Sequence, residues 1–178
     1  KKDITLKELY EQSKKELIIL TANVTTKRPV YLSYKNYPDL SCFNAICMSS
    51  NIPLIFKKYK YKNDLYIDGY FSNNFPINIY DDDTSNILGI YVDDEVNNNN
   101  IINYIMNILG CITHDNISNM YNASNNCSIL HLINCDTGIL LNNIDKRINL
   151  YNWGQNQGYM FYRKIFENTF EHQLFSNE

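Results

Sequence analysis

An aspartate followed at once by glycine closes the apolar pattern Leu65-Tyr66-Ile67, and Tyr70, Asn73, Asn74 and Pro76 come soon after. A carboxylate at a strand end, where α/β sites collect, can take the proton of an attacking hydroxyl. With an ordinary pKa of about 3.9 it is ionised at neutral pH, but it is a weak base. Hydrolytic sites usually place an imidazole between carboxylate and hydroxyl. A site without one leans on donors facing the developing oxyanion, each worth roughly 3 kcal/mol. Gly69 allows a sharp exit from the strand with unrestricted φ. Asn73 and Asn74 can hydrogen-bond loop backbone, and Pro76 stiffens the departure. Taken alone, Asp68-Gly69 is also an ordinary turn dipeptide.

Other chemistry-bearing residues favour plainer roles. His114 and Asp115 are adjacent, so they face different ways on a helix or a strand. His131 alternates within an apolar strand and reads as a satisfied core histidine. The acidic runs Asp81–Asp83 and Asp93–Glu95 follow no EF-hand spacing and read as solvated loop or cap acids. No metal and no cofactor is called for. The five cysteines, Cys42, Cys47, Cys111, Cys127 and Cys135, form no Cys-x-x-Cys pair and are odd in number. They read as reduced thiols of a cytosolic protein. Lys57–Lys62, "KKYKYK", reads as an edge strand protected by lysines. The functional alternative is peripheral contact with anionic lipid headgroups, the aromatic rings sitting at the interface.

The elements that position these residues follow from capping and periodicity. Thr5-Leu6-Lys7-Glu8 is a capping box for a short helix to about Lys14. "ELIILTANV" reads as a strand buried on both faces, "TTKRP" as a turn and "VYLSY" as a second strand. Ser41 can cap a helix over "CFNAICMS" that Pro53 ends. "FKKYKYKNDLYID" reads as a hairpin turning at "KND". "NILGIYV" is a buried strand, "IINYIMNILGCI" a helix, and "CSILHLINCD" a further strand. The tail from Ile144 to Leu174 is helical, interrupted or closely packed near Gly154 and Gly158. Interleaved helices and buried strands predict an α/β layered sheet flanked by helices.

Four blocks in order resemble the patatin-like phospholipase family. They are "TLKELYEQSKKELIILTANVTTKRPVYLS", "AICMSSNIPLIF" with its Ala-x-x-x-Ser-x-x-x-Pro-x-x-Phe pattern, "YIDGYFSNNFPI" with its Asp-Gly motif and trailing Asn-Asn-x-Pro, and "NQGYMFYRK". The family uses a Ser–Asp dyad, and the resemblance assigns the proton acceptor to Asp68, the motif to Asp68-Gly69-Tyr70, and supporting positions to Asn73, Asn74, Pro76 and Pro53. The family has Gly or Ala where this chain has Tyr70, whose phenol either points to solvent or narrows the cleft. The six glycines form no Gly-rich loop, and no Gly-x-Ser-x-Gly occurs.

The resemblance therefore implies the C-terminal half of such a domain, an incomplete patatin-like α/β fold with the N-terminal nucleophile half missing. It is expected as a single partial domain over 1–178, with resemblance from Asp3 to Lys164 and a helical tail beyond. Its expected partners are a glycerolipid or fatty acyl ester and an upstream half of the same domain. The alternative is a non-catalytic remnant that binds lipid or protein.

Charge and hydropathy exclude other classes. Of 178 residues, 16 are Lys or Arg and 19 Asp or Glu, a net charge of −3. Nucleic acid is not expected as a partner, because counterion release needs a basic face. No apolar run reaches the roughly 18 residues of a membrane span. The start, "KKDITLKELYEQ", has neither Met nor an apolar leader core, as expected of an internal piece of a cytoplasmic protein.

Overall fold

The computed structural model describes residues 3–80, 86–94, 104, 108, 127–135 and 144–175. The chain divides into two compact units, Lys1–Pro76 with Asn98–Asn122, and Ile77–Asn97 with Ala123–Glu178.

In the first unit, α1 (Leu6–Ser13) begins at the expected capping box. Glu8 N–H donates to Thr5 Oγ1 at 3.1 Å, and Thr5 N–H donates to Glu8 Oε2 at 2.8 Å. The helix stops where Lys14 turns left-handed, with φ 56°. β1 (Ile19–Asn23) and β2 (Arg28–Leu32) form an antiparallel hairpin. β2 starts earlier than "VYLSY" because the hairpin register pairs Arg28 with Asn23 and Pro29 with Ala22. Pro29 is tolerated because β2 is the outer strand of its sheet and needs no second ladder there. Beyond Leu32, Ser33 N–H donates to Asn36 Oδ1 at 2.9 Å and the chain turns away.

Ser41 caps α2 (Cys42–Ser49), its hydroxyl accepting from Asn44 N–H. β3 (Tyr59–Tyr61) and β4 (Asp64–Asp68) make the expected hairpin, with Lys62 at φ 53°. The sheet runs β2-β1-β4-β3, antiparallel throughout. β1 is thus an inner strand with Thr21, Ala22 and Asn23 buried in succession, as its apolar run predicts. That run is often a mark of parallel sheets. Here it is antiparallel, because a short turn cannot make a parallel crossover. The core gathers Leu6, Leu32, Leu40, Ala45, Met48 and Tyr66 between helices and sheet. Tyr59 and Tyr61 pack against it, and Tyr59 OH donates to Asn44 Oδ1 at 2.6 Å.

In the second unit, β5 (Ile87–Asp94) and β6 (Cys127–Cys135) pair in parallel, and α3 spans Ile144–Phe175. Two expectations change here. β5 is not buried on both faces: Gly89 and Tyr91 are buried while Leu88, Ile90 and Val92 are exposed. α3 is not interrupted at its glycines, and a Cβ at Gly154 or Gly158 would meet nothing within 4 Å. The helix called at 101–112, the acids 81–83 and Glu95, and His114-Asp115 lie outside the described residues, except that Tyr104 and Ile108 are helical. Among the described residues no cluster of His, Cys, Asp or Glu could hold a metal, and no helix is long and apolar enough to cross a membrane.

Candidate active site around Asp68

Asp68 ends β4, opposite Thr21 of the neighbouring β1. Its backbone is held from the other side by the segment after α2. Asp68 N–H donates to the Asn51 carbonyl at 3.0 Å, and Asn51 Nδ2 donates to the Tyr66 carbonyl at 2.9 Å. The buried Thr21 hydroxyl donates to the Ile67 carbonyl at 2.7 Å, with the Met48 carbonyl at 3.1 Å. Helix end, inner strand and β4 are thereby tied together one residue before the carboxylate. Sequence reasoning missed both Thr21 and Asn51. The available signal was polarity inside apolar runs: a buried Thr or Asn needs partners, and a strand's last carbonyls supply them.

After Asp68 the chain makes one 3₁₀ turn, Gly69–Phe71. Tyr70 N–H donates to Asp68 Oδ1 at 2.9 Å, so the carboxylate caps the turn that follows it. Among the described residues Oδ2 accepts no hydrogen bond, which leaves it open to take a proton. Burial pushes the Asp68 pKa above its ordinary 3.8, and the Tyr70 amide opposes the rise only in part. A carboxylate that binds its proton more tightly is a better general base, provided it is still ionised at the working pH.

Gly69 is required for space rather than for backbone freedom. A Cβ there would lie 2.5 Å from the Leu20 carbonyl oxygen of β1, and no described glycine has positive φ. The expectation of a special φ is thus replaced by close strand-to-turn approach. Tyr70 is 43% exposed and meets Phe71 edge-on at 5.7 Å. It is also among the residues that line the cleft.

A cleft of about 380 Å³ brings together Asp68, Gly69, Tyr70, Asn73, Asn74 and Pro76 with Ser49, Ile18, Ile19 and Leu20. Pro53 is not in its lining; it stands in the turn after α2. The expected backbone bonding by the asparagines takes another form. Asn73 is 8% exposed, its amide N–H reaches the Gly69 carbonyl at 3.1 Å, and its Nδ2 donates to Tyr31 OH at 3.3 Å. Asn73 Oδ1 and Asn74 Oδ1 are buried and have no hydrogen-bond partner among the described residues. Among the described residues no lysine, arginine or histidine lines the cleft. Among the described residues Asp68 is the one carboxylate in its lining. His131 lies in β6 beside Tyr91, ring centroids 5.0 Å apart, in the other unit.

Residues 3–81 match the patatin-like phospholipase family. The chain is 41% identical over 78 residues to a probable lipid hydrolase of Invertebrate iridescent virus 6, covering 44% of this chain and 27% of that protein. It is 35% identical over 81 residues to an uncharacterised protein of Acanthamoeba polyphaga mimivirus, covering 46% of this chain and 27% of that one. The chain thus spans 27% of the length of these curated relatives. Hydrolase, lipid metabolism and patatin-like phospholipase are the terms these matches support.

The match also corrects several expectations. It lies in the N-terminal part of this chain, residues 3–81. That overturns the reading of a C-terminal half whose N-terminal nucleophile half is missing, and with it the incomplete fold. The upstream half as a partner falls too, as does the remnant reading that shared its premise. Of the four blocks, the three earlier ones lie within the match and "NQGYMFYRK" lies beyond it. Gly-Tyr in a helix and apolar strands are common to many α/β layers. The specific residues, from the capping box to Pro76, all precede position 81.

Proposed function

We propose that the Asp68 cleft is the proton-accepting part of a lipid acyl-ester hydrolase site acting on glycerolipid or fatty acyl esters. Asp68 Oδ2 takes the proton of the attacking hydroxyl, the Tyr70 amide holds Oδ1, and Asn51 with Thr21 fixes the strand end. The observation that carries this reading is a half-buried carboxylate of raised pKa, at a strand end, in a cleft that no lysine, arginine or histidine lines among the described residues. The family match and the viral lipid hydrolase supply the substrate class. The attacking hydroxyl is not assigned to a residue. We place the protein in the cytoplasm, a reading supported by the free thiols of Cys42, Cys47 and Cys127.

The test is turnover of a fluorogenic fatty acyl ester by the full-length protein and its Asp68→Asn variant. Loss of a general base lowers kcat by about a hundredfold or more. Retention of kcat in the variant would remove Asp68 from the mechanism.

A further inference from the structure

The segment Leu54–Lys62 reads "LIFKKYKYK", four lysines and no acid in a chain of net charge −3. The edge-strand role accounts for Lys60, within outer strand β3, and Lys62, which follows it. It does not account for Lys57 and Lys58, which precede that strand and protect no ladder. All four are exposed, and among the described residues none meets a carboxylate. Lys62 lies over the Tyr61 ring at 5.5 Å. The nearest acid in sequence is Asp64, which pairs with Tyr61 in the hairpin.

The tyrosines are not the interfacial rings that the sequence pattern implies. Both pack against the core, and Tyr59 spends its hydroxyl on Asn44. The apolar groups left outside are instead in the turn before the lysines: Leu54 is 70% exposed and Phe56 56% exposed. Leu54 sits at φ +71°, a left-handed conformation that disfavours a leucine. Phe56 N–H donates to the Ile52 carbonyl at 3.1 Å, closing the turn on itself. A closed, strained turn presenting two apolar side chains ahead of four unpaired cations has the two components of interfacial attachment, apolar insertion and charge attraction.

We propose that the Pro53–Phe56 turn is a membrane anchor, inserting Leu54 and Phe56 into an anionic phospholipid surface while Lys57, Lys58, Lys60 and Lys62 face its headgroups. The turn stands two residues from Asn51, whose carbonyl holds the Asp68 amide. Attachment there brings the cleft to the surface that would supply its ester.

The experiment is co-sedimentation of the full-length protein with vesicles of phosphatidylcholine alone or mixed with phosphatidylserine. Binding is expected to the mixed vesicles and to be lost at high salt. Leu54→Ser with Phe56→Ser, and separately Lys57→Ala with Lys58→Ala, each weaken it by about tenfold or more. These positions are exposed, so the variants keep the fold, which far-UV circular dichroism checks. Asp68→Asn binds as the unaltered protein does, which separates this result from that of the turnover assay. Three outcomes overturn the proposal: equal retention on neutral and anionic vesicles, no effect of either variant pair, or Leu54- and Phe56-dependent self-association in ultracentrifugation without vesicle binding.

Discussion

Asp68 acts on stability in a direction opposite to the usual surface carboxylate. Its folded pKa lies above the unfolded 3.8, so between those two values the native state holds more protons than the unfolded chain. Stability then falls as pH rises through that window, and the cost persists at neutral pH. Asp68→Asn, which keeps an oxygen for the Tyr70 amide, is expected to raise the urea midpoint at neutral pH. The gain should vanish below the unfolded pKa, and a gain unchanged at acid pH would show that another group is responsible. The same shift means that kcat/KM should climb with pH through the raised value and then level off. Gly69 is the second residue with a sharp expectation. Gly69→Ala drives a Cβ against the backbone of Leu20, which cannot give as a side-chain tip can. Overpacking of this kind costs roughly 1–3 kcal/mol. A variant as stable as the parent in urea would show that β1 and the turn are free to part.

At the scale of elements, the site is a β4 end clamped between β1 and the chain leaving α2. Asn51 is the clamp most exposed to test. Its side chain is buried and gives its one described bond to the Tyr66 carbonyl. Asn51→Ala removes that buried side-chain bond and should cost roughly 0.5–1.5 kcal/mol. Ester turnover should fall with it if Asp68 depends on the clamp, and turnover equal to the parent's would show that the backbone bond to Asp68 suffices. α3 carries the opposite expectation. Gly154 and Gly158 weaken a helix for no packing return, since space is open at both. Each change to Ala should stabilise the helix by about 0.5–1 kcal/mol, read as a higher melting temperature by circular dichroism. A lower one would mean that something approaches those positions.

The molecule as a whole divides its surface properties unevenly. Its charge is acidic, yet four lysines stand together beside an apolar turn. In the second unit, alternate residues of β5, Leu88, Ile90 and Val92, leave an apolar stripe outside. Such stripes raise self-association more than they support the fold. Leu88→Ser with Ile90→Ser should therefore change unfolding free energy by no more than about 0.5 kcal/mol while lowering light scattering on concentration. A large loss of stability would show that the stripe is packed.

What the sequence determined by itself was local chemistry. The Thr5–Glu8 box, the Ser41 cap, the "KND" hairpin and the placing of Asp68 at a strand end were all legible, because each is decided within a few residues by capping, turn geometry and alternation. Asp68 stood out as the carboxylate of an ordered set of motifs. The extent of the resemblance was not legible, since apolar periodicity beyond residue 81 fits many α/β layers. What only the tertiary structure decided were relations between distant segments. Thr21 and Asn51 meet β4 across 46 and 15 residues of chain. Gly69 is needed because β1 passes beside it. Tyr59 and Tyr61 turn inward and leave Leu54 and Phe56 outside. The physical reason is common to all of them: which atoms crowd, pair or lose water depends on what the fold brings alongside, and no local pattern carries that information.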